Sequence, residues 1–193
     1  STSLYGQVTN ADVDASDIVI SFTDYDGTRF QRLEYTWNML EAVGYDDTNA
    51  YLNQVADSTI YEYDSSQYMQ RSASLFGQVT NADVDANDIV ISFTDYDGSR
   101  FQRLEYTWNM QEGVGYEIDH LYTGLVADST IYDYGTSQYM QRSTSLYGQV
   151  TDADVDANDI VISFTDYDGT RFQRLEYTWN MKEGVGYETQ HAY

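Results

Sequence analysis

Residues 17–38 read DIVISFTDYDGTRFQRLEYTWN, and this stretch decides the fold. Apolar and polar side chains alternate along both halves, and Ile18, Ile20 and Phe22 share one face of the first half. Alternation with a period of two residues is typical of half-buried β-strands. The Asp-Gly pair at 26–27 lies between the halves and is typical of a tight turn. The stretch therefore predicts a β-hairpin.

The hairpin phrase is part of a repeat with a period of 71 residues, without insertion or deletion. The first 45 residues differ from the second copy at six positions and from the third copy at four. Such a period predicts that one structural unit recurs along the chain. The predicted units are residues 1–71, residues 72–142 and a partial third unit at residues 143–193.

A second placement of the boundaries is also consistent with the repeat. Residues 46–54 are the least similar to their counterparts, and only Tyr51 and Tyr122 are kept there. A variable stretch between strictly repeated ones is typical of a surface loop or a linker. The boundaries are therefore predicted either at the ends of the units above or near residues 46–55 and 117–126.

Strand signals dominate each copy, and they predict an all-β fold. β-Branched and aromatic residues fill the alternating runs, which favours five or six strands in each 71-residue unit. The predicted architecture is a series of small tandem β-sandwiches of immunoglobulin-like or Greek-key type. The Trp residues are predicted to lie in the core, on the same face as a Leu of their own strand: Trp37 with Leu33, Trp108 with Leu104, and Trp179 with Leu175.

The composition argues against several classes of function. The chain carries 32 acidic and nine basic residues, a formal net charge of −23, so it repels phosphate backbones and anionic membranes. We expect no nucleic-acid partner, and no membrane insertion because no apolar run approaches about 20 residues. The absence of Cys removes disulfides and thiolate metal sites, and His120 and His191 are too few for a histidine-based centre. The chain opens on Ser1, which predicts a processed protein or an excerpt.

Closely spaced Asp residues flank the first strand of each copy, in the phrases DVDASD (12–17) and DYDG (24–27). Calcium prefers several hard oxygen ligands, so the pattern predicts Ca²⁺ binding. Asx turns at strand ends on a salt-adapted surface are the alternative. The two phrases are separated by one strand, about 20 Å at about 3.3 Å per residue, and cannot form one site within a unit. The candidate ligands are Asp12, Asp14, Asp17, Asp24, Asp26, Asp83, Asp85, Asp88, Asp95, Asp97, Asp154, Asp156, Asp159, Asp166 and Asp168.

Arg residues are scarce in this acidic chain and recur at fixed positions of the repeat, as in Arg29 and Arg32. We expect them to pair with Asp clusters, within or between units. The 20 Tyr residues are more than such small cores can hide, and exposed aromatic rings serve protein interfaces and sugar stacking alike. Ordinary core and strand-surface positions are the alternative for these rings.

The phrase ADVDASDIVIS at residues 11–21, with its copies, resembles the cadherin-like and immunoglobulin-like tandem repeats of bacterial surface adhesins. The resemblance covers about a dozen residues in each copy. It implies tandem sandwiches on the cell surface with calcium at their junctions, and Asp12, Asp14 and Asp17 are the matching positions.

These observations favour a non-enzymatic structural repeat protein, extracellular or at the cell surface, that forms a fibre, a matrix or an adhesin stalk. The chain contains three segments like residues 1–54 but only two like residues 55–71, so one terminal unit lacks an edge strand. An unpaired edge is a template for another chain, and the expected partner is the protein itself, joined head to tail. The alternative is a multivalent carbohydrate-binding module that uses the repeated Tyr and Trp residues to bind glycans. An enzyme built on paired carboxylates ranks third.

Overall fold

The computed structural model describes residues 1–6, 13–65 and 67–188, which form a single antiparallel sheet of 11 strands in chain order. The strands are β1 (Thr2–Leu4), β2 (Val19–Tyr25), β3 (Leu33–Met39), β4 (Val55–Tyr63), β5 (Met69–Phe76), β6 (Val90–Tyr96), β7 (Leu104–Met110), β8 (Val126–Asp133), β9 (Arg142–Tyr147), β10 (Val161–Tyr167) and β11 (Leu175–Asn180). No helix occurs in these described ranges, and the all-β prediction is confirmed.

The predicted hairpin forms between β2 and β3, but its connection is longer than a two-residue turn. The backbone N–H of Asp26 donates to the carbonyl of Arg32 at 2.9 Å, and that of Gln31 donates to the carbonyl of Thr28 at 3.1 Å. Gly27 and Gln31 both adopt positive φ, 64° and 49°, which lets the chain reverse within this loop. The prediction of a tight turn at 26–27 was therefore too short.

The alternation read from the sequence is shifted by a β-bulge at the start of β2. The pairing with β1 slips after Ser3, so that Leu4 lies opposite Val19. As a result Val19 is buried, with 1% of its surface exposed, whereas Ile20 is 50% exposed. A bulge inserts one residue and transfers the following side chains to the other face. The assignment of Ile18 and Ile20 to the face of Phe22 was wrong for this reason.

Strand pairing recurs with the sequence period. The same register is found in β2–β3, β6–β7 and β10–β11, with the pairs Ser21–Asn38, Ser92–Asn109 and Ser163–Asn180. Between copies the ladder continues, because β4 pairs with β5 and Ile60 lies opposite Ala73. Likewise β8 pairs with β9, and Ile131 lies opposite Thr144. One period therefore contributes four strands to the sheet, fewer than the five or six predicted.

Loops cover one face of the sheet, which we call the inner face. Tyr51 and Tyr122, from the two variable loops, are fully buried against it, and Val79 and Val150 from the connections after β5 and β9 are buried as well. Sheet residues such as Phe93 pack beneath them. The predicted two-sheet sandwich is not confirmed, because loop side chains from the same chain bury the inner face where a second sheet would lie. The variable stretches are packed loops.

A buried serine fastens each connection to the inner face. The hydroxyl of Ser58 on β4 donates to the carbonyl of Gly77 and accepts from the N–H of Val79 at 2.9 Å. Ser129 on β8 makes the same two bonds in the next copy. Buried backbone groups need hydrogen-bond partners. The hydroxyl of Ser58 on β4 therefore determines where the connection after β5 lies, and Ser129 on β8 does the same for the connection after β9.

The opposite face, which we call the outer face, carries rows of hydroxyl groups. Threonines on neighbouring strands lie opposite one another and within hydrogen-bonding distance: Thr23–Thr36 at 3.2 Å, Thr94–Thr107 at 3.0 Å and Thr165–Thr178 at 2.9 Å. Cross-strand Thr pairs stabilise antiparallel sheets. This face is therefore polar although it belongs to the same strands as the apolar inner face.

Candidate functional site

The first Asp phrase forms compact turns before β2. One oxygen of Asp14 accepts from both the backbone N–H of Ser16, at 2.8 Å, and its hydroxyl, and these bonds lower the pKa of Asp14. Asp17 accepts from the N–H of Asp14 at 2.8 Å. Each carboxylate thus stabilises its own turn, as Asx turns do. Asp12 lies outside the described residues.

The second Asp phrase is used differently, because its two carboxylates bind side chains. Asp26 accepts from the N–H of Thr28 at 3.0 Å and from Nε of Arg32 at 2.6 Å. Desolvation acts to raise the pKa of Asp26, but the bonds from Arg32 and Thr28 outweigh it and hold the value at about 2. Asp24 accepts from the hydroxyl of Tyr35 at 3.1 Å, and burial together with this carboxylate raises the pKa of Tyr35 to about 12.

The remaining candidate calcium ligands follow the same two patterns. Most accept backbone or hydroxyl hydrogen bonds within their own turns: Asp83, Asp85, Asp88, Asp97, Asp154, Asp156, Asp159 and Asp168. Asp95 and Asp166 lie on strands and face Arg residues. Across residues 1–6, 13–65 and 67–188, no three His, Asp or Glu side chains are grouped so as to hold a metal ion. Calcium binding stays a prediction.

The expected Arg–Asp pairs form both within and between copies of the repeat. Within copies, Arg32 pairs with Asp26, and Arg103 Nε lies 2.7 Å from Asp97. The pairs between copies are Arg71–Asp95, at 3.5 Å, and Arg142–Asp166, where Nη2 donates to Oδ2 at 2.7 Å. The prediction is confirmed for Arg32 and Arg103, whereas the guanidinium of Arg29 lies 4.6 Å from the centroid of the Phe30 ring. The second kind of pair connects β5 with β6 and β9 with β10.

A further contact between copies was not predicted from the sequence. Nε2 of His120, in the variable loop of the second copy, lies 3.2 Å from Oε1 of Glu62 on β4 of the first copy, and the Tyr116 hydroxyl donates to the same oxygen at 3.0 Å. Burial acts to raise the pKa of Glu62, but the contacts with His120 and Tyr116 outweigh it, so the pKa falls below its usual value. Glu62 and His120 lie far apart in sequence, so no local pattern predicts their contact. The one sequence signal was that His is rare in this chain.

The Trp prediction holds for two of the three residues. Trp37 and Trp108 are buried, and each indole N–H donates at 2.9 Å to a carbonyl of the next copy's connection, that of Val79 and that of Val150. Trp179 is 48% exposed, compared with 5% for Trp108. The prediction was wrong for Trp179 because, among the described residues, β11 pairs only with β10, whereas the strands of Trp37 and Trp108 are paired on both sides.

The exposed edge of the sheet at β11 is the candidate interaction site. Every residue from Leu175 to Asn180 is exposed, including Tyr177 and Trp179. One edge of β11 pairs with β10, and no strand among residues 1–6, 13–65 and 67–188 pairs with the other. Unpaired backbone groups beside large apolar side chains are typical of a surface to which another strand adds.

An open cleft recurs at the start of β3 and of β7. In the second copy it measures about 190 Å³ and is lined by Arg103, Glu105, Tyr134 and Asp152, among others. The guanidinium of Arg103 is already bound to Asp97 and lies 5.2 Å from the Tyr134 ring. Arg103 and Asp97 therefore neutralise each other, and the other charged side chains of the cleft, Glu105, Asp133 and Asp152, are all acidic. The one basic group of the cleft is thus already bound, and we rank the cleft below the sheet edge as a candidate.

In the part of the chain that the structure describes, no helix has the length and apolar character required to span a membrane. No protein-family model matches the chain, and no curated protein matches it. Among solved structures, the chain is similar to a protein of unknown function from Bacteroides fragilis, with 10% identity, 83% of this chain and 91% of that chain covered, and a TM-score of 0.19. A likeness at this level supports no conclusion about fold or function.

Proposed function

We propose that this chain is a structural, non-enzymatic repeat protein that builds a fibre, a matrix or an adhesin stalk outside the cell. The observation that carries the proposal is the continuous ladder of the sheet. The β4–β5 and β8–β9 pairs join successive copies by the same antiparallel pairing that operates within a copy. Repeats that add strands to one sheet are a means of building length.

Side-chain contacts between copies support the same role. The indole of Trp37 donates to the Val79 carbonyl, and the salt bridges Arg71–Asp95 and Arg142–Asp166 each join residues of successive copies. The buried Trp37 and the largely buried pair of Arg142 with Asp166 require defined neighbours, because both lose stability when the partner moves. Successive copies would therefore form one stiff body, which suits a load-bearing role better than flexible tethering does.

The exposed edge supports self-association of the chains, head to tail. Within the described residues, β1 lies at one edge of the sheet and β11 at the other, so these two edges differ in sequence. A contact between unlike surfaces builds an open filament when the rotation between subunits does not close a ring. Screening of the net charge of −23 by salt is expected to favour such assembly.

Negative-stain electron microscopy and sedimentation velocity over a concentration series test the proposal. The parent chain should form rods or filaments whose length grows with concentration. The control variant carries a copy of residues 123–150 directly after Tyr193, which keeps the 71-residue period and covers β11 in cis. We expect this variant to assemble markedly less. A parent chain that stays monomeric at high concentration contradicts the proposal.

One observation favours a multivalent carbohydrate-binding module as a second candidate. The same position of the repeat carries an aromatic ring that is more than half exposed in all three copies, in Tyr5, Phe76 and Tyr147. Evenly spaced exposed rings are suited to stacking on a polysaccharide. Glycan-array screening followed by calorimetry with the Phe76→Ser variant tests this: binding that falls in the variant supports it, and an array without hits contradicts it.

A further inference from the structure

The connections after β5 and after β9 are attached to the preceding copy in the same way at two points. The Trp37 indole and the Ser58 hydroxyl hold the first connection, each through a bond of 2.9 Å to the backbone of one of its residues. Trp108 and Ser129 hold the second connection through two bonds of the same length. The two connections therefore lie at matching positions on the inner face.

A third attachment point differs between the two connections. Asn81 donates from Nδ2 to the carbonyl of Tyr61 on β4, at 2.7 Å. Asp152 stands at the same position of the repeat and lines the second cleft together with Tyr132, the counterpart of Tyr61. An ionised carboxylate only accepts hydrogen bonds, so it cannot bond a carbonyl oxygen as the amide of Asn81 does.

We infer that Asp152 is a proton-operated tie between the second and third copies. When it takes up a proton from solvent, its carboxylic acid becomes a donor and bonds the Tyr132 carbonyl as Asn81 bonds that of Tyr61. When it ionises, the tie is released and the carboxylate faces an oxygen with no proton between them. The inference goes beyond the proposed function, because it gives one joint a response to pH within a single molecule.

The groups around Asp152 are mostly acidic. The charged and titratable side chains that line its cleft come from β7, β8 and the loops beside them: Asp97, Arg103, Glu105, Tyr132, Asp133 and Tyr134. Arg103, the one cation among them, lies 2.7 Å from Asp97. On the connection itself, Asp154 accepts from the Thr151 hydroxyl. These surroundings oppose a negative charge on Asp152 and favour its protonated form.

The direction of the pH response follows from this environment. Partial burial and the charge of Asp133 raise the pKa of Asp152. The protonated form therefore contributes stability that is fully present below the unfolded-state pKa of about 3.9. This contribution is lost as pH rises through the folded-state value. Acid thus closes the tie, whereas the amide of Asn81 keeps the preceding joint closed at every pH.

Two reciprocal substitutions test the inference by thermal denaturation. Asp152→Asn should raise the melting temperature at pH 7 by about 1–4 °C, because it supplies the missing donor. At pH 3 the gain should nearly vanish, since the parent is then protonated at Asp152. Asn81→Asp should lower the melting temperature at pH 7, and less so at pH 3. A gain from Asp152→Asn that is absent at pH 7, or equally large at pH 3, overturns the inference.

Asp152→Ala separates the hydrogen bond from relief of charge repulsion, because alanine removes the charge and adds no donor. A clearly smaller gain at pH 7 than that of Asp152→Asn supports the tie. Equal gains for the two variants would mean that repulsion alone destabilises the joint, and the tie would be wrong.

Hydrogen exchange of the indole N–H groups locates the effect in the molecule. Trp108 bonds the connection that carries Asp152, whereas Trp37 bonds the connection that carries Asn81 and is the internal reference. At pH 7, Asp152→Asn should slow the exchange of Trp108 and leave that of Trp37 unchanged, with the signals assigned from single Trp→Phe variants. Equal slowing of both indoles, or of neither, contradicts a tie at this connection.

Discussion

At the residue scale, the three Trp residues provide an internal comparison, because one sequence position occupies two environments. Trp108 is 5% exposed and bonded to Val150, whereas Trp179 is 48% exposed. We expect Trp108→Ala to lower the free energy of unfolding by about 3–5 kcal/mol and Trp179→Ala by about 1 kcal/mol or less. Urea denaturation of both variants measures the difference. Equal losses would mean that Trp179 is covered in solution.

Glu62 allows a prediction about pH at the same scale. Its pKa in the folded protein lies below the usual value, because the contacts with His120 and Tyr116 outweigh the effect of burial. The ionised group therefore contributes stability that is fully present above the unfolded-state pKa of about 4.3 and is lost as pH falls through the folded-state value. Glu62→Gln should lower stability at pH 7 by about 0.5–1.5 kcal/mol.

The shape of the pH profile distinguishes this role from a general loss of packing. Melting temperatures of Glu62→Gln should change less between pH 5 and pH 3 than those of the parent, because the titrating group is gone. Glu112→Gln is the matched control, since Glu112 is exposed in the same loop that carries His120. Parallel profiles for the parent and Glu62→Gln would show that the contact with His120 contributes nothing to stability.

At the scale of elements, the attachment of loops to the sheet depends on close approach of two backbones. A Cβ atom on Gly115 would lie 2.5 Å from the carbonyl oxygen of Ala86, and the N–H of Val90 bonds the carbonyl of Val114 at 2.8 Å beside it. We expect Gly115→Ala to push this loop away and to cost about 1–3 kcal/mol. Faster hydrogen exchange at Val90 and Tyr116 is the expected signature.

Glu112→Ala is the control for this loop, because it changes an exposed residue without adding a clash. It should leave the exchange rates at Val90 unchanged. If Gly115→Ala also leaves the exchange rates at Val90 and Tyr116 unchanged, the loop can shift without loss of stability. The close approach of the two backbones then does not restrict which residue this position can hold.

Much of the element structure could be predicted from the sequence, and the failures have physical causes. Alternation in residues 17–38 located β2 and β3, since period-two patterning is local. The bulge at Val19 depends on pairing with β1, which no local pattern records. The sandwich prediction is not confirmed, because Tyr51 and Val79 lie in stretches without alternation, yet they bury the inner face. The Glu62–His120 contact joins residues 58 positions apart, so it could be identified only from the folded structure.

At the scale of the whole molecule, the net charge of −23 makes the folded sheet repel itself. We expect melting temperatures to rise with NaCl, because screening weakens this repulsion. If the chain binds calcium, as the sequence predicts, the melting temperature should rise further when Ca²⁺ replaces other cations at fixed ionic strength. Thermal melts with Ca²⁺ and with EDTA measure this calcium-specific rise. Equal melting temperatures would mean that the cations act by screening alone.

A triple variant separates a bound ion from general shielding. Changing Asp12, Asp14 and Asp17 together to Asn should abolish a calcium-specific rise while it leaves the response to NaCl in place. The same changes also weaken the turn before β2, where Asp14 binds Ser16. The comparison is therefore between melts of the variant with and without Ca²⁺, and not between the variant and the parent.

The order of strands in the sheet also determines how the molecule responds to force. Because β1 and β11 lie at opposite edges and every strand pairs with its neighbours in sequence, a pull on the two ends acts across the strands. Hydrogen bonds at the outermost strand then carry the load one after another, as in the opening of a zipper. Each strand that detaches releases chain of up to about 3.3–3.6 Å per residue. A fibre of this design would lengthen in steps under tension and regain its length on release, so it would absorb a shock before any covalent bond is strained.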